Sequence, residues 1–322
     1  MQGVAIQISG PGRAGLVPIA EEGPLAEDAI EGPALASAIS PGTEIGWAFA
    51  SKDTKHFPSS PGYAMVFRVE RAGAASGFKP GDVAFAMAGH RSWVRCPGAS
   101  AWHVPAGLDP ADASLARLAG VSWSTLTTTG ARPPVRVAVT GLGIVGNLAA
   151  QVFAAAGYQV LACDPVAGRR ELLAGLGIEL RERLPQDDPA WAEQIALVVE
   201  CSGHEGAVLD ACKVVRKGGE VAMVGVPWAK RTDIPAFELL NVVFHKYVVL
   251  RSGWEWQVAR EPAEFRAGSI RENIVGALDG ISRGRIRTAG LYKRVKPADC
   301  EAVYRELQEQ RGGPVTAVFV WP

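Results

Sequence analysis

VRVAVTGLGIVGNLAAQVFAAAGYQVLACDP, residues 135 to 165, decides the fold of this chain. VRVAVT is a valine-rich run of strand length that stops at Gly141, and NLAAQVFAAAG is alanine-rich with apolar positions at helical spacing. Between them lies Gly141-Leu-Gly143-Ile-Val-Gly146. A dinucleotide requires such glycines for separate reasons: the first makes the tight turn, the second lets backbone approach a pyrophosphate, and the third lets helix and sheet pack closely. The helix start at Ile144 and Val145 then offers unpaired N–H groups and a partial positive charge to the phosphates. QVLACD follows as a second strand ending in Asp164, about 20 residues on, where a carboxylate meets the adenosine ribose hydroxyls.

Outward from this stretch, the alternation continues through GRRELLAGL, IALVVECSG, AVLDACKVV, GEVAMVGVP and YVVLRSG. Strand, helix, strand at this spacing predicts an α/β fold, a Rossmann doubly wound parallel sheet over residues 125–255. Ligands gather at the C-terminal ends of such strands, which makes Ser202, Gly225 and Ser252 further cofactor candidates. Residues 1–124 are instead dense in Gly and Pro, with short apolar runs separated by turn signals such as Pro80-Gly81-Asp82, and read as a β-rich domain. Residues 256–322 carry two expected helices, at 263–282 and 298–310, and a closing strand TAVFVW expected to return to the first domain's sheet.

Composition narrows the partner. Lys plus Arg equals Asp plus Glu at 33 each among 322 residues, leaving no field to steer nucleic acid or an anionic membrane. A small-molecule substrate is expected. The five cysteines are scattered without a C-x-x-C pair, so neither a disulfide framework nor a zinc lobe is expected. MQGVAIQISG carries no basic-then-apolar leader, and no apolar run reaches the ~18 residues of a membrane helix. A cytoplasmic protein is the expectation.

A β-rich first domain, a mid-chain nucleotide fold and a short C-terminal return resemble the medium-chain dehydrogenase/reductase superfamily. SAISPGTE (residues 37–44), Pro61-Gly62-Tyr63 and FKPGDVAFA are most similar to its bacteriochlorophyllide and sugar or polyol dehydrogenase branch. The resemblance implies a GroES-like catalytic domain from 1–124 and 256–322. It also implies that the positions of the catalytic zinc ligands hold Pro41, Tyr63 and Leu118. Zinc takes thiolate, imidazole or carboxylate. No zinc, and no other metal, is therefore expected.

Without a Lewis acid, a protein donor must polarise the substrate oxygen. Tyr63 stands where a ligand would face that oxygen, and Thr43 matches the hydroxyl that relays the alcohol proton in zinc-dependent relatives, while Gly46 replaces the histidine further along that relay. A nearby oxidised nicotinamide would favour the phenolate of Tyr63 and so alcohol oxidation. His90, with a suitable intrinsic pKa, is the second candidate acid or base. Glu44 replaces the family Asp as a supporting residue, and Trp47, Trp93 and Trp254 are candidates to stack on a substrate ring. Asp164 favours NAD over NADP by repelling a 2′-phosphate, whereas Arg169 and Arg170 offer that phosphate a site.

The reading is a zinc-independent, NAD(H)-dependent oxidoreductase interconverting a secondary alcohol and a ketone on a small, sugar-like or cyclic substrate. The alternatives are a zinc-free quinone or enoyl reductase, and a dinucleotide-binding sensor or scaffold without turnover. A homodimer is expected by analogy, through an edge strand near Tyr247 to Leu250.

Overall fold

The computed structural model describes residues 2–20, 23–51, 54–309 and 314–322, without the side chains of Gln2 and Thr54. Contacts divide the chain into two compact units. One comprises Met1–Arg117, Ala277–Gly284 and Thr288–Pro322, and the other Leu118–Gly276 with Arg285–Arg287. The boundary thus differs from the expectation at both ends: 118–124 and 256–276 pack with the α/β unit.

In that unit six parallel strands run in the order Glu179–Arg181, Gln159–Cys163, Arg136–Thr140, Ile195–Glu200, Val215–Met223, Val249–Ser252. This is the doubly wound order, with its reversal between Arg136–Thr140 and Ile195–Glu200. A parallel sheet covered on both faces needs near-continuous apolar strands, and Ile195–Glu200 is buried at every position. The helix Ile144–Ala155 buries Leu148, Ala149, Val152 and Phe153, at the spacing that brings one stripe onto the sheet. Separate apolar clusters hold Val139, Phe153 and Leu197 on one side and Leu161, Val198 and Val221 on the other.

The other unit is built on the strand Ala29–Ala38, which pairs with Met65–Arg68, Arg71–Ala72, Trp93–Pro97 and Thr316–Val320. The last of these is the expected return: Val318 lies opposite Ala38 in antiparallel register. A hairpin of Gln2–Gly10 and Arg13–Ala20 completes the β-rich part. The helix Cys300–Glu309 places Val303 and Tyr304 in this core, with Tyr304 stacked on Phe49.

Two helices are shorter than their periodicity suggests. The expected helix at 263–282 begins only at Ile270, because Gly268 has φ +84° and the Ser269 hydroxyl caps the helix start by accepting Glu272 N–H at 3.1 Å. GRRELLAGL is helical only over Ala167–Glu171 before it turns. The expected helix 298–310 is Cys300–Glu309, with residue 310 outside the described residues. Among the described residues no helix is long and apolar enough to cross a membrane.

Candidate active site

The glycine turn is formed by three different constraints. Gly141 has φ +83°, and a Cβ there would sit 2.7 Å from the Ser202 nitrogen. At Gly146 a Cβ would lie 1.8 Å from the Gly141 oxygen, so only hydrogen lets the helix start against the strand end. Gly143 is different: a Cβ there would meet nothing within 4 Å. The open space therefore lies over the middle glycine, beside the start of Ile144–Ala155, which has no side-chain cap. N–H groups of a helix's first turn have no intrahelical acceptor. This cradle fits the pyrophosphate of a dinucleotide.

Two buried carboxylates hold the cradle. Asp164, 2% exposed, accepts Leu142 N–H on Oδ2 and Val166 N–H on Oδ1, each at 2.8 Å. Arg169 Nη1 lies 3.3 Å from Oδ2, and Arg170 Nη1 donates to the Asp164 carbonyl at 2.6 Å. The residue read from the sequence as a ribose ligand thus also ties the glycine turn to the second strand. A carboxylate offers about four acceptor positions, and three are occupied here. Arg169 is paired with that carboxylate. Glu200, which the sequence reading did not single out, accepts Ser202 N–H at 2.6 Å and Gly203 N–H at 3.2 Å. Burial pushes its carboxyl pKa upward. Its carbonyl accepts Gly225 N–H at 2.7 Å, which fixes a second candidate loop against the first. Ser252, opposite Met223 in register, caps its own loop by accepting Trp254 N–H at 3.1 Å.

The hydroxyl pair lies in the β-rich unit. Pro41–Thr43 is one helical turn and continues into a wider π-turn, Glu44–Phe49, a geometry that recurs at functional sites. Tyr63 donates its hydroxyl to Thr43 Oγ1 at 3.2 Å. Burial raises the phenol's pKa; the hydroxyls of Ser40 and Thr43 pull it down, Glu44 pushes it up and Arg117 pulls it down, with a net rise. In the chain alone Tyr63 is thus a protonated donor at neutral pH. The guanidinium carbon of Arg117 lies 5.0 Å from the Tyr63 ring centre. Arg117 is 3% exposed.

His90 is not a second acid. It is 1% exposed, and both ring nitrogens are engaged, Nδ1 with Ser37 Oγ at 2.8 Å and Nε2 with Glu44 Oε2 at 2.9 Å. Gly62 permits this packing, since a Cβ there would sit 2.7 Å from the imidazole. Glu44 also accepts Tyr304 O–H at 2.6 Å and Ser40 N–H at 2.7 Å, while Trp321 Nε1 donates to Ser37 Oγ at 3.0 Å. Ser37 Oγ thus joins Trp321 to His90 Nδ1, and His90 Nε2 faces the Glu44 carboxylate. The network locks Glu44, and with it the backbone of its neighbour Thr43. Trp93 is likewise corrected, being buried in the strand Trp93–Pro97 and closed to substrate. Trp47 is exposed and tilts against His56, and Trp254 is 66% exposed.

The donor set does not fit zinc. Pro41 and Leu118 have no ligating atom, and the Tyr63 phenol is bonded to Thr43. Among the described residues no group of three or more His, Cys, Asp or Glu could hold a metal ion. The residues missed by sequence reasoning are Arg117, Glu200, Tyr304, Ser37 and Trp321. Only Arg117 left a signal, as the one charge in the otherwise neutral run from 113 to 131.

Residues 145–260 match the family profile described as "Zinc-binding dehydrogenase". The chain is 26% identical over 239 residues to an alcohol dehydrogenase of Geobacillus stearothermophilus, covering 72% of this chain and 63% of that relative. It therefore spans less than two thirds of that protein's length. Galactitol-1-phosphate dehydrogenase from Escherichia coli superposes with a TM-score of 0.81 at 13% identity, covering 98% of this chain and 99% of that one. Acetophenone reductase from Geotrichum candidum, solved with NAD, superposes with a TM-score of 0.77 at 15% identity, over 99% and 97% of the two chains. These superpositions establish the fold, and the profile and the alcohol dehydrogenase make the chain similar to zinc-binding dehydrogenases.

Proposed function

We propose, from this likeness to the zinc-binding dehydrogenases, that the chain is a zinc-independent, NAD-dependent oxidoreductase acting on a ketone and its secondary alcohol. The observation that carries the reading is the Tyr63–Thr43 hydroxyl pair at a position where zinc-using relatives place metal chemistry, next to partners that cannot bind a metal. A nicotinamide dinucleotide supplies the hydride. The chain's own contribution begins at Gly143 and the first turn of Ile144–Ala155, whose N–H groups take the pyrophosphate. The free acceptor position of Asp164 takes a ribose hydroxyl, and its negative charge favours NAD over NADP.

Tyr63, held protonated by burial, donates to the carbonyl oxygen and stabilises the charge that grows there. Thr43 Oγ1 accepts the phenol's hydrogen bond in the resting site, and when the phenol turns its O–H to the carbonyl the Thr43 hydroxyl donates back to the phenol oxygen and holds it in place. Exposed Trp47, in the same unit as the hydroxyl pair, suits a small cyclic or sugar-like substrate, the branch suggested by SPGTE. The scattered free cysteines suit a reducing cytoplasm.

We further read the chain as a homodimer. Phe237, Leu240 and Phe244 stand at helical spacing on Ala236–Lys246, exposed by 72%, 65% and 77%, and Tyr247 and Val249 extend the patch to the edge strand Val249–Ser252. Aromatic side chains of ~150–250 Å² each give this face several hundred Å² of apolar surface, more than a monomer ordinarily leaves uncovered.

The test is a panel of ketones, alcohols, quinones and enones followed at the absorbance of reduced nicotinamide, with Tyr63→Phe beside the wild type. Ketone reduction that falls ~10²–10⁴-fold in Tyr63→Phe, with dinucleotide affinity retained, is the expected result. Turnover confined to quinones or enones supports the reductase alternative, and none with any class refutes an enzymatic role.

A further inference from the structure

We infer that Arg117 is the positioning residue that supplies a fixed positive charge beside the Tyr63 phenol and so sets how readily Tyr63 gives up its proton. This rests on the reading of Tyr63 as the proton donor.

A guanidinium buried to 3% exposure carries its charge into a low-dielectric interior, where that charge acts strongly on its neighbours. Arg117 lies in the helix Ala116–Thr128, whose remaining residues are all uncharged. Its guanidinium carbon lies 5.0 Å from the Tyr63 ring centre, the range in which a cation is attracted by an aromatic face and stabilises a nearby anion. Tyr63 is faced by Ser40 and Thr43 through their hydroxyls, by Glu44 as the adjacent negative charge and by Arg117 as the positive one. Glu44 makes the phenol harder to ionise, and Arg117 makes it easier. Burial makes the phenol a weaker proton donor. Arg117 offsets part of that effect, in the electrostatic role that a metal cation fills in zinc-using enzymes.

The test places 2,3,5-trifluorotyrosine at position 63, because its phenol titrates lower than tyrosine's, and reads the titration by absorbance in the full chain without substrate. In Arg117→Met the midpoint should rise by about one to two pH units, since loss of a cation within ~4–6 Å disfavours the anion. Arg117→Lys, which keeps the charge, should recover most of that rise. With an identified ketone, Arg117→Met should lower kcat and leave KM nearly unchanged. Should Arg117→Met not fold, Arg117→Gln, which keeps a long polar side chain without charge, carries the same comparison. A midpoint unmoved in a folded neutral variant overturns the inference. A midpoint that moves in a protein inactive on every ketone upholds Arg117 and refutes the reductase reading, because the titration needs no turnover.

Discussion

Replacing Glu44 separates a network that organises the site from one that merely fills the core. Its carboxylate accepts three hydrogen bonds: His90 Nε2–H at 2.9 Å, Tyr304 O–H at 2.6 Å and Ser40 N–H at 2.7 Å. All three donors are buried, so Glu44→Ala leaves them without an acceptor. Removing one partner from such a buried arrangement costs about 3–5 kcal/mol. In a unit of this size each kcal/mol moves Tm by ~2–4 °C, so the melting of the β-rich unit should fall by roughly 6–20 °C. Glu44→Gln keeps the shape and one carbonyl oxygen but sets an N–H₂ against a donor, and should cost about 1–3 kcal/mol. Near-UV circular dichroism follows the melt through the buried Trp93, Trp102 and Trp321 of that unit. Glu44→Ala melting within about 2 °C of wild type would show that water or rearrangement satisfies the donors, and would refute the network as the lock on Thr43.

Gly143→Ala should fold and melt like wild type, since its Cβ enters open space, yet bind NAD at least about tenfold more weakly because that space is the pyrophosphate's. Gly146→Ala, whose Cβ would overlap the Gly141 carbonyl, should be destabilised even without ligand; equal melting of the two variants in calorimetry contradicts this division of roles. Elemental analysis of protein purified without chelator should find far less than one zinc per chain, and a stoichiometric zinc lost together with activity on chelation would refute metal independence. Light scattering should give twice the 34.0 kDa chain mass for wild type and the single mass for Phe244→Glu; a wild-type monomer at micromolar concentration excludes the dimer.

The α/β class was legible because its determinants are local. VRVAVT, three glycines and an alanine-rich helix lie within one contiguous stretch, and the positive φ at Gly141 is required there by the turn itself. That Pro41, Tyr63 and Leu118 stand where the resemblance places zinc ligands was equally legible, since a residue type is a fact of the chain. A start signal for the helix Ile270–Ser282 was also present, in Ser269-Ile-Arg-Glu272, though helical periodicity upstream obscured it.

What the chain could not reveal alone is which polar groups meet. Glu44 bonds a histidine 46 residues away and a tyrosine 260 residues away, and Ser37 bonds a tryptophan 284 residues away. The last encounter follows from the antiparallel pairing of Thr316–Val320 with Ala29–Ala38, a register with no local signature. His90 therefore read as an available base when tertiary structure makes it a buried link, and Arg117 was passed over although it meets Tyr63. Covalent neighbours dictate backbone conformation through sterics and short-range hydrogen bonds, and so sequence determined the cradle. Buried donors and acceptors instead find one another only after the sheet has closed, and so topology decided the role of each side chain around the hydroxyl pair.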